Sequence, residues 1–172
     1  MAATNEQRMA QVATVLGELR RLHAELGFVV QQKLDAMRKA DTDAIHAATA
    51  REDFLAQRIR EQEGLRRQIL QLIGEANGLP ASRARAMTIR ELADLAAEPL
   101  RSRLLAAGAA LRETVVETAE RNRVAAIVSQ EMLKHFRQVY QVMARTNGVP
   151  GVYSWTGRAE TRPGTAVFEA VG

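Results

Sequence analysis

The chain has 172 residues, of which 26% are charged and only 4% are aromatic, and its formal net charge is +4. Cysteine is absent, which excludes disulfides, thiolate catalysis and cysteine-ligated zinc sites. Acidic and basic residues alternate along most of the chain. The positive net charge therefore does not by itself indicate a nucleic-acid partner, and we expect none. The common residue types favour helices, and the length fits one domain.

A first helix is predicted over residues 5–39. Thr4 and Gln7 have the spacing of a capping box, in which the Thr hydroxyl accepts a hydrogen bond from an amide of the first turn. Apolar residues then recur every three or four positions, as they do in a heptad seam. Because His23 and Lys33 interrupt this seam, we expect it to be partly buried. The seam residues are Met9, Val12, Leu16, Leu19, Leu26, Val30 and Met37.

A second helix is predicted over residues 42–77, with Asp41 among the residues that offer a capping oxygen. Its seam is also intermittent, because Glu52 and Arg66 occupy seam positions. Gly78 and Pro80 favour an end to this helix. The short break after the first helix predicts an antiparallel hairpin. The seam residues of the second helix are Ile45, Ala48, Leu55, Ile59, Ile69 and Ile73.

Residues 78–87 have no apolar periodicity and are predicted to form a loop. The arginines at 83, 85 and 90 precede the first acid at Glu91. Such a cluster is either a solvated connector, the more common case, or a binding patch. Thr88 and Glu91 again have capping-box spacing, which predicts a short helix over residues 88–96.

A third long helix is predicted over residues 99–146, beginning at Pro99, which is tolerated in a first turn. Glycines inside the long helices, at 17, 27, 64 and 108, indicate either close helix contact or local softness. Residues 147–172 have few helix signals and are predicted to form an extended or disordered tail. The predicted fold is therefore all-α: an elongated antiparallel three-helix bundle or coiled coil over residues 1–146, with a short extra helix before the third long helix and an irregular C-terminal tail.

The sequence offers no constellation of reactive residues. His23, His46 and His135 lie on separate predicted helices, without the spacing of metal ligands, and no phosphate-binding loop is present. We therefore expect neither an enzyme nor a protein with a metal or cofactor. No apolar run reaches the length of a membrane span, and no early segment resembles a signal peptide, so we expect a cytoplasmic protein.

The strongest candidate for partner binding is an apolar cluster near the end of the third helix, together with two aromatic residues of the tail. The cluster covers more than one helix face, so one line of residues can pack while another binds a partner. Alternatively, the whole cluster packs into the bundle end under the tail. Tyr153 and Trp155 are either a clasp folded onto the end of the third helix or a docking element for the partner. The candidate residues are Met132, Leu133, Phe136, Val139, Tyr140, Met143, Tyr153 and Trp155.

Taken in order, several stretches resemble the flagellar type III export chaperones of the FlgN family. They are "ELRRLHAEL" at 18–26, an Asp-initiated second helix at 37–70, "GEANGLP" at 74–80, "TIRELAD" at 88–94, "ERNRVAAIVSQEML" at 120–133 and "VYSWTGR" at 152–158. The family often repeats the asparagine of the fifth stretch three residues later, whereas this chain has Asn122 and then Ala125.

The resemblance implies a small, cytoplasmic, helical chaperone. Its partners would be hook-associated flagellar proteins and the export apparatus. It would bind the C-terminal region of hook–filament junction proteins, mainly through the C-terminal part of its own chain, and keep them soluble and unassembled before secretion. A structural coiled-coil scaffold or adaptor without a secretion role is the alternative. We expect a monomer or a weak homodimer.

Overall fold

The computed structural model describes residues 4–146, and every regular element in that range is an α-helix. The all-α prediction is thus confirmed. The chain divides into two compact units, residues 1–125 and residues 126–172, and the predicted tail lies outside the described residues. The helices are α1 (Asn5–Arg38), α2 (Thr42–Ala76), α3 (Ala81–Arg85), α4 (Ile89–Asp94) and α5 (Leu100–Thr146).

The helix starts follow the predicted capping residues. The backbone N–H of Gln7 donates to Thr4 Oγ1 at 3.2 Å, and the Thr4 N–H donates back to the Gln7 side chain at 2.9 Å. Asp41 accepts from the backbone of the first turn of α2. Thr88 and Glu91 form a second reciprocal capping box at α4. Each cap satisfies amides that have no partner inside the helix.

The loop predicted for residues 78–87 was wrong, because Ala81–Arg85 forms the short helix α3. Gly78 has a φ of +72° and, as predicted, ends α2 in a left-handed turn. Pro80 occupies the N-cap position of α3, without a side-chain hydrogen bond to the helix. Ala84 is fully buried and lies against Gly74 of α2. Packing against α2 therefore stabilises five residues that have no helical periodicity of their own.

The core of the first unit lies between α1 and α2 and is closed by α4 and the first part of α5. Leu104 of α5 is fully buried in this core, and Thr118 Oγ1 donates to the backbone oxygen of His23 at 2.9 Å. A smaller cluster joins Leu22, Val29 and Leu55. The main cluster comprises Met9, Val12, Ala13, Val15, Leu16, Leu19, Ile69, Leu70, Ile73, Met87, Leu92, Ala93 and Leu104.

Two of the polar residues that interrupt the predicted seams bind each other. Lys33 of α1 forms an ion pair with Glu52 of α2, and each side chain is only 16% exposed. The second carboxylate oxygen of Glu52 is buried and has no hydrogen-bond partner among the described residues. Lys33 and Glu52 thus neutralise each other between α1 and α2. If the two helices were aligned differently, each charge would be buried without its partner.

Candidate partner-binding face on the last helix

In the second unit, α5 carries apolar side chains along one side. Met132, Phe136, Val139 and Met143 follow one another at intervals of four, three and four residues, which places them on a common helix face. Leu133 and Tyr140 border that face one residue further along the chain. We call these six residues the C-terminal apolar face.

Most of this face is exposed to solvent. Leu133, Phe136, Tyr140 and Met143 each expose more than half of their surface, and Val139 exposes 41%. Met132 alone is half-buried. Since a Leu, Phe or Met side chain gains roughly 1.5–3 kcal/mol when it is fully buried, this face offers a partner a large apolar surface. The other two predicted site residues, Tyr153 and Trp155, lie outside the described residues.

The opposite side of the same helix segment is polar. Glu131 and Lys134 form an exposed ion pair at 3.4 Å, and Arg137, Gln138 and Gln141 are exposed. A helix with one apolar and one charged side normally covers its apolar side with another element. The C-terminal apolar face therefore has the composition of a contact surface.

The apolar spacing of this face continues a pattern that begins in the first unit. Leu104, Leu111, Thr118 and Ala125 are spaced seven residues apart, and each of them is buried or half-buried. Met132 and Val139 continue the same seven-residue spacing along the sequence. A partner helix with matching apolar spacing can pack by the knobs-into-holes mechanism on the exposed part of this helix, which lies in the second unit.

The histidines form no common site in the described part of the chain. They lie on α1, α2 and α5, and within residues 4–146 no group of three His, Asp or Glu side chains has a metal-binding arrangement. Burial lowers the pKa of His23 below its ordinary value of 6.5, and Glu63 opposes that shift. None of the helices between residues 4 and 146 combines the length and the hydropathy that a transmembrane span requires.

Sequence reasoning missed a concave site between α4 and α5. A cavity of about 360 Å³ opens there, with apolar and arginine side chains around it. The sequence contained two signals for it: Arg90, the last of the three arginines before Glu91, and the glycine at 108. Gly108 lies in close contact with Ile89, so close contact rather than softness explains that glycine. The cavity is lined by Ile89, Arg90, Leu105, Gly108, Ala109 and Arg112.

An amphipathic helix with an exposed apolar side can bind a partner segment on its surface. The sequence matches the FlgN protein family over residues 8–161. The chain therefore belongs to the FlgN family, a family of flagellar export chaperones. Searches of the curated proteins and of the solved structures found no match.

Proposed function

We propose that this chain is a cytoplasmic chaperone that binds the C-terminal region of hook–filament junction proteins and keeps it unassembled until export. Membership of the FlgN family supports the chaperone role. The observation that carries the proposed site is the exposure of Leu133, Phe136, Val139, Tyr140 and Met143 on one segment of α5. We assign cargo binding to this C-terminal apolar face. The complex of chaperone and cargo is then delivered to the export apparatus.

The physical mechanism is temporary burial. A cargo segment that has not yet assembled exposes apolar side chains, which favour aggregation. Packing that segment against the C-terminal apolar face removes apolar area on both sides from water. Methionine is flexible, so Met132 and Met143 can adapt to cargo segments of different sequence. Release of the cargo requires no covalent step, because the contact consists only of non-covalent packing.

The direct test compares two phenylalanines with similar exposure. Phe136 on the C-terminal apolar face is 59% exposed, and Phe28 on α1 is 61% exposed. The measurement is the affinity of the full chain for a labelled C-terminal segment of a hook–filament junction protein. Phe136→Asp is expected to weaken binding about thirtyfold, equivalent to about 2 kcal/mol for a central apolar contact. Phe28→Asp is expected to leave affinity unchanged, and an equal loss in both variants would refute the assignment of the face.

The role of the tail aromatics is tested through Trp155, the single tryptophan of the chain. Tryptophan fluorescence that is already blue-shifted without cargo indicates that Trp155 packs on the chaperone as a clasp. Emission that shifts only when cargo is added indicates a docking element. If Tyr153 and Trp155 contact the cargo, a chain that ends after Arg145 is expected to bind it more weakly.

Light scattering of the purified chain separates the chaperone from a coiled-coil scaffold. A chaperone whose apolar face is reserved for cargo is expected to be a monomer or a weak homodimer. A scaffold that uses the same seven-residue spacing for self-association would instead give a stable higher oligomer. Addition of cargo to the chaperone is expected to give a complex of defined mass.

A further inference from the structure

The cavity between α4 and α5 combines an apolar floor with two cationic groups. We call it the α4–α5 cavity. Ile89 and Leu105 are the largest apolar residues of its lining, and Leu105 is 39% exposed. Gly108 permits the close approach of the two helices, because a Cβ at this position would lie 2.9 Å from Ile89 Cγ2. Arg90 and Arg112 complete the lining.

The cavity continues into an exposed stripe on α5. Leu105, Ala109, Arg112 and Val116 have the spacing i, i+4, i+7 and i+11, so they share one helix face. All four are exposed, and Val116 exposes 63% of its surface. This spacing suits the apolar side of an amphipathic helix that lies along α5.

Among the described residues, the two arginines of the cavity differ from Arg83 and Arg85 in having no side-chain partner. Arg83 forms an ion pair with Glu91, and Arg85 donates twice to the side-chain oxygen of Gln71, at 3.0 and 2.9 Å. Within residues 4–146, neither Arg90 nor Arg112 forms an ion pair or a side-chain hydrogen bond with a described residue. Each therefore keeps a planar set of donors available to a carboxylate.

We propose that the α4–α5 cavity and the adjoining stripe bind an acidic amphipathic helix of a protein partner. An apolar side chain of that helix enters the cavity, and its flanking carboxylates bind Arg90 and Arg112. The apolar floor favours a protein helix over nucleic acid, and Glu113 beside Arg112 opposes a phosphate backbone. This site uses none of the residues of the C-terminal apolar face, so it provides the chaperone with a second contact that is independent of cargo.

The test uses a pair of synthetic helical peptides and the full chain. Both peptides carry leucines at i, i+4 and i+7. One has glutamates beside the leucines, and the other has lysines in their place. Fluorescence anisotropy measures their binding to the unmodified chain. The glutamate peptide is expected to bind and the lysine peptide is not, whereas equal binding of both, or no binding of the glutamate peptide, overturns the proposal.

Variants then locate the binding site. Arg90→Glu and Arg112→Glu are each expected to weaken binding of the glutamate peptide about tenfold or more. Arg103→Glu is the matched control, because Arg103 is an exposed arginine of α5 outside the cavity. If Arg103→Glu weakened binding of the glutamate peptide equally, the attraction would depend on net charge alone, and the proposed binding site would be overturned.

Two further measurements separate this site from the cargo site. Ala109→Trp is expected to fill the cavity and block the peptide while leaving cargo affinity unchanged. Phe136→Asp is expected to weaken cargo binding without affecting the peptide. A peptide that is lost with Phe136→Asp but retained with Ala109→Trp binds the C-terminal apolar face, and this result also overturns the proposal.

Discussion

Two glycines of α2 provide the sharpest test of how the first unit is packed. Gly74 is buried where α3 contacts α2, and a Cβ added to it would overlap the Cβ of Ala84 and lie 3.1 Å from its Cα. Gly64, in the same helix, is exposed, and a Cβ there would meet nothing within 4 Å. We expect Gly64→Ala to stabilise the protein and Gly74→Ala to be less stable than Gly64→Ala.

The difference between these variants isolates the packing energy. In a helix interior, Ala is favoured over Gly by about 0.8–1 kcal/mol, and this contribution is common to both substitutions. Gly74→Ala must in addition displace the backbone of α3, because Ala84 has no flexible side chain that can move aside. Overpacking of this kind costs about 1–3 kcal/mol, so the two variants are expected to differ in free energy of unfolding by that amount.

Thermal unfolding followed by circular dichroism provides the assay. For a chain of this length, 1 kcal/mol corresponds to about 2–4 °C in Tm, so the expected difference between the two variants is about 2–12 °C. Urea unfolding of the same variants checks that the slope is unchanged, which would show that only stability differs. If Gly74→Ala proved as stable as Gly64→Ala, the contact between α2 and α3 would be refuted.

Three further predictions concern polar groups inside the first unit. Thr118→Val is expected to lower the free energy of unfolding by about 1 kcal/mol, because it removes the hydrogen bond to the His23 oxygen. Thr118→Ser keeps the hydroxyl and is expected to retain most of that free energy, as measured by urea unfolding. The pKa of His23 is lowered in the folded chain, so as the pH falls this imidazole is protonated in the unfolded chain before it is protonated in the folded one. The free energy of unfolding is therefore expected to decrease as the pH drops below 6.5. His23→Gln is expected to remove this part of the pH dependence of Tm. Lys33→Met is expected to destabilise by about 2–4 kcal/mol because it leaves Glu52 uncompensated, and Lys33→Met with Glu52→Leu is expected to restore stability. A double variant no better than Lys33→Met alone would contradict this account of the pair.

The start of each capped helix was predictable because a cap depends on neighbours within one turn. Thr4 with Gln7, and Thr88 with Glu91, need only a spacing of three residues. In contrast, α3 was missed because its five residues are held by the contact between Ala84 and Gly74. The sequence shows the glycine and the alanine ten positions apart but does not show that they meet.

The ion pair between α1 and α2 illustrates the same limit. Lys33 and Glu52 were each identified as an interruption of a seam, which was right for each helix alone. Their pairing depends on the alignment of the two helices, and a heptad pattern in either helix leaves that alignment open. The α4–α5 cavity was missed for a related reason, because Arg90 and Arg112 lie in different predicted helices and share a site only after folding.

The seven-residue line of α5 explains why the sequence alone did not show whether the C-terminal apolar face is buried or exposed. Leu104 and Ala125 are buried on this line and Val139 is exposed, although periodicity assigns all three to the same kind of position. A pattern records that a helix face is apolar, but not whether the chain itself supplies the covering element. Coverage is a property of the folded chain, and the structure leaves Phe136, Val139 and Met143 exposed. Along this line Leu104 and Ala125 are buried within the chain whereas Val139 remains exposed, and this contrast supports the proposal that a partner binds the C-terminal apolar face.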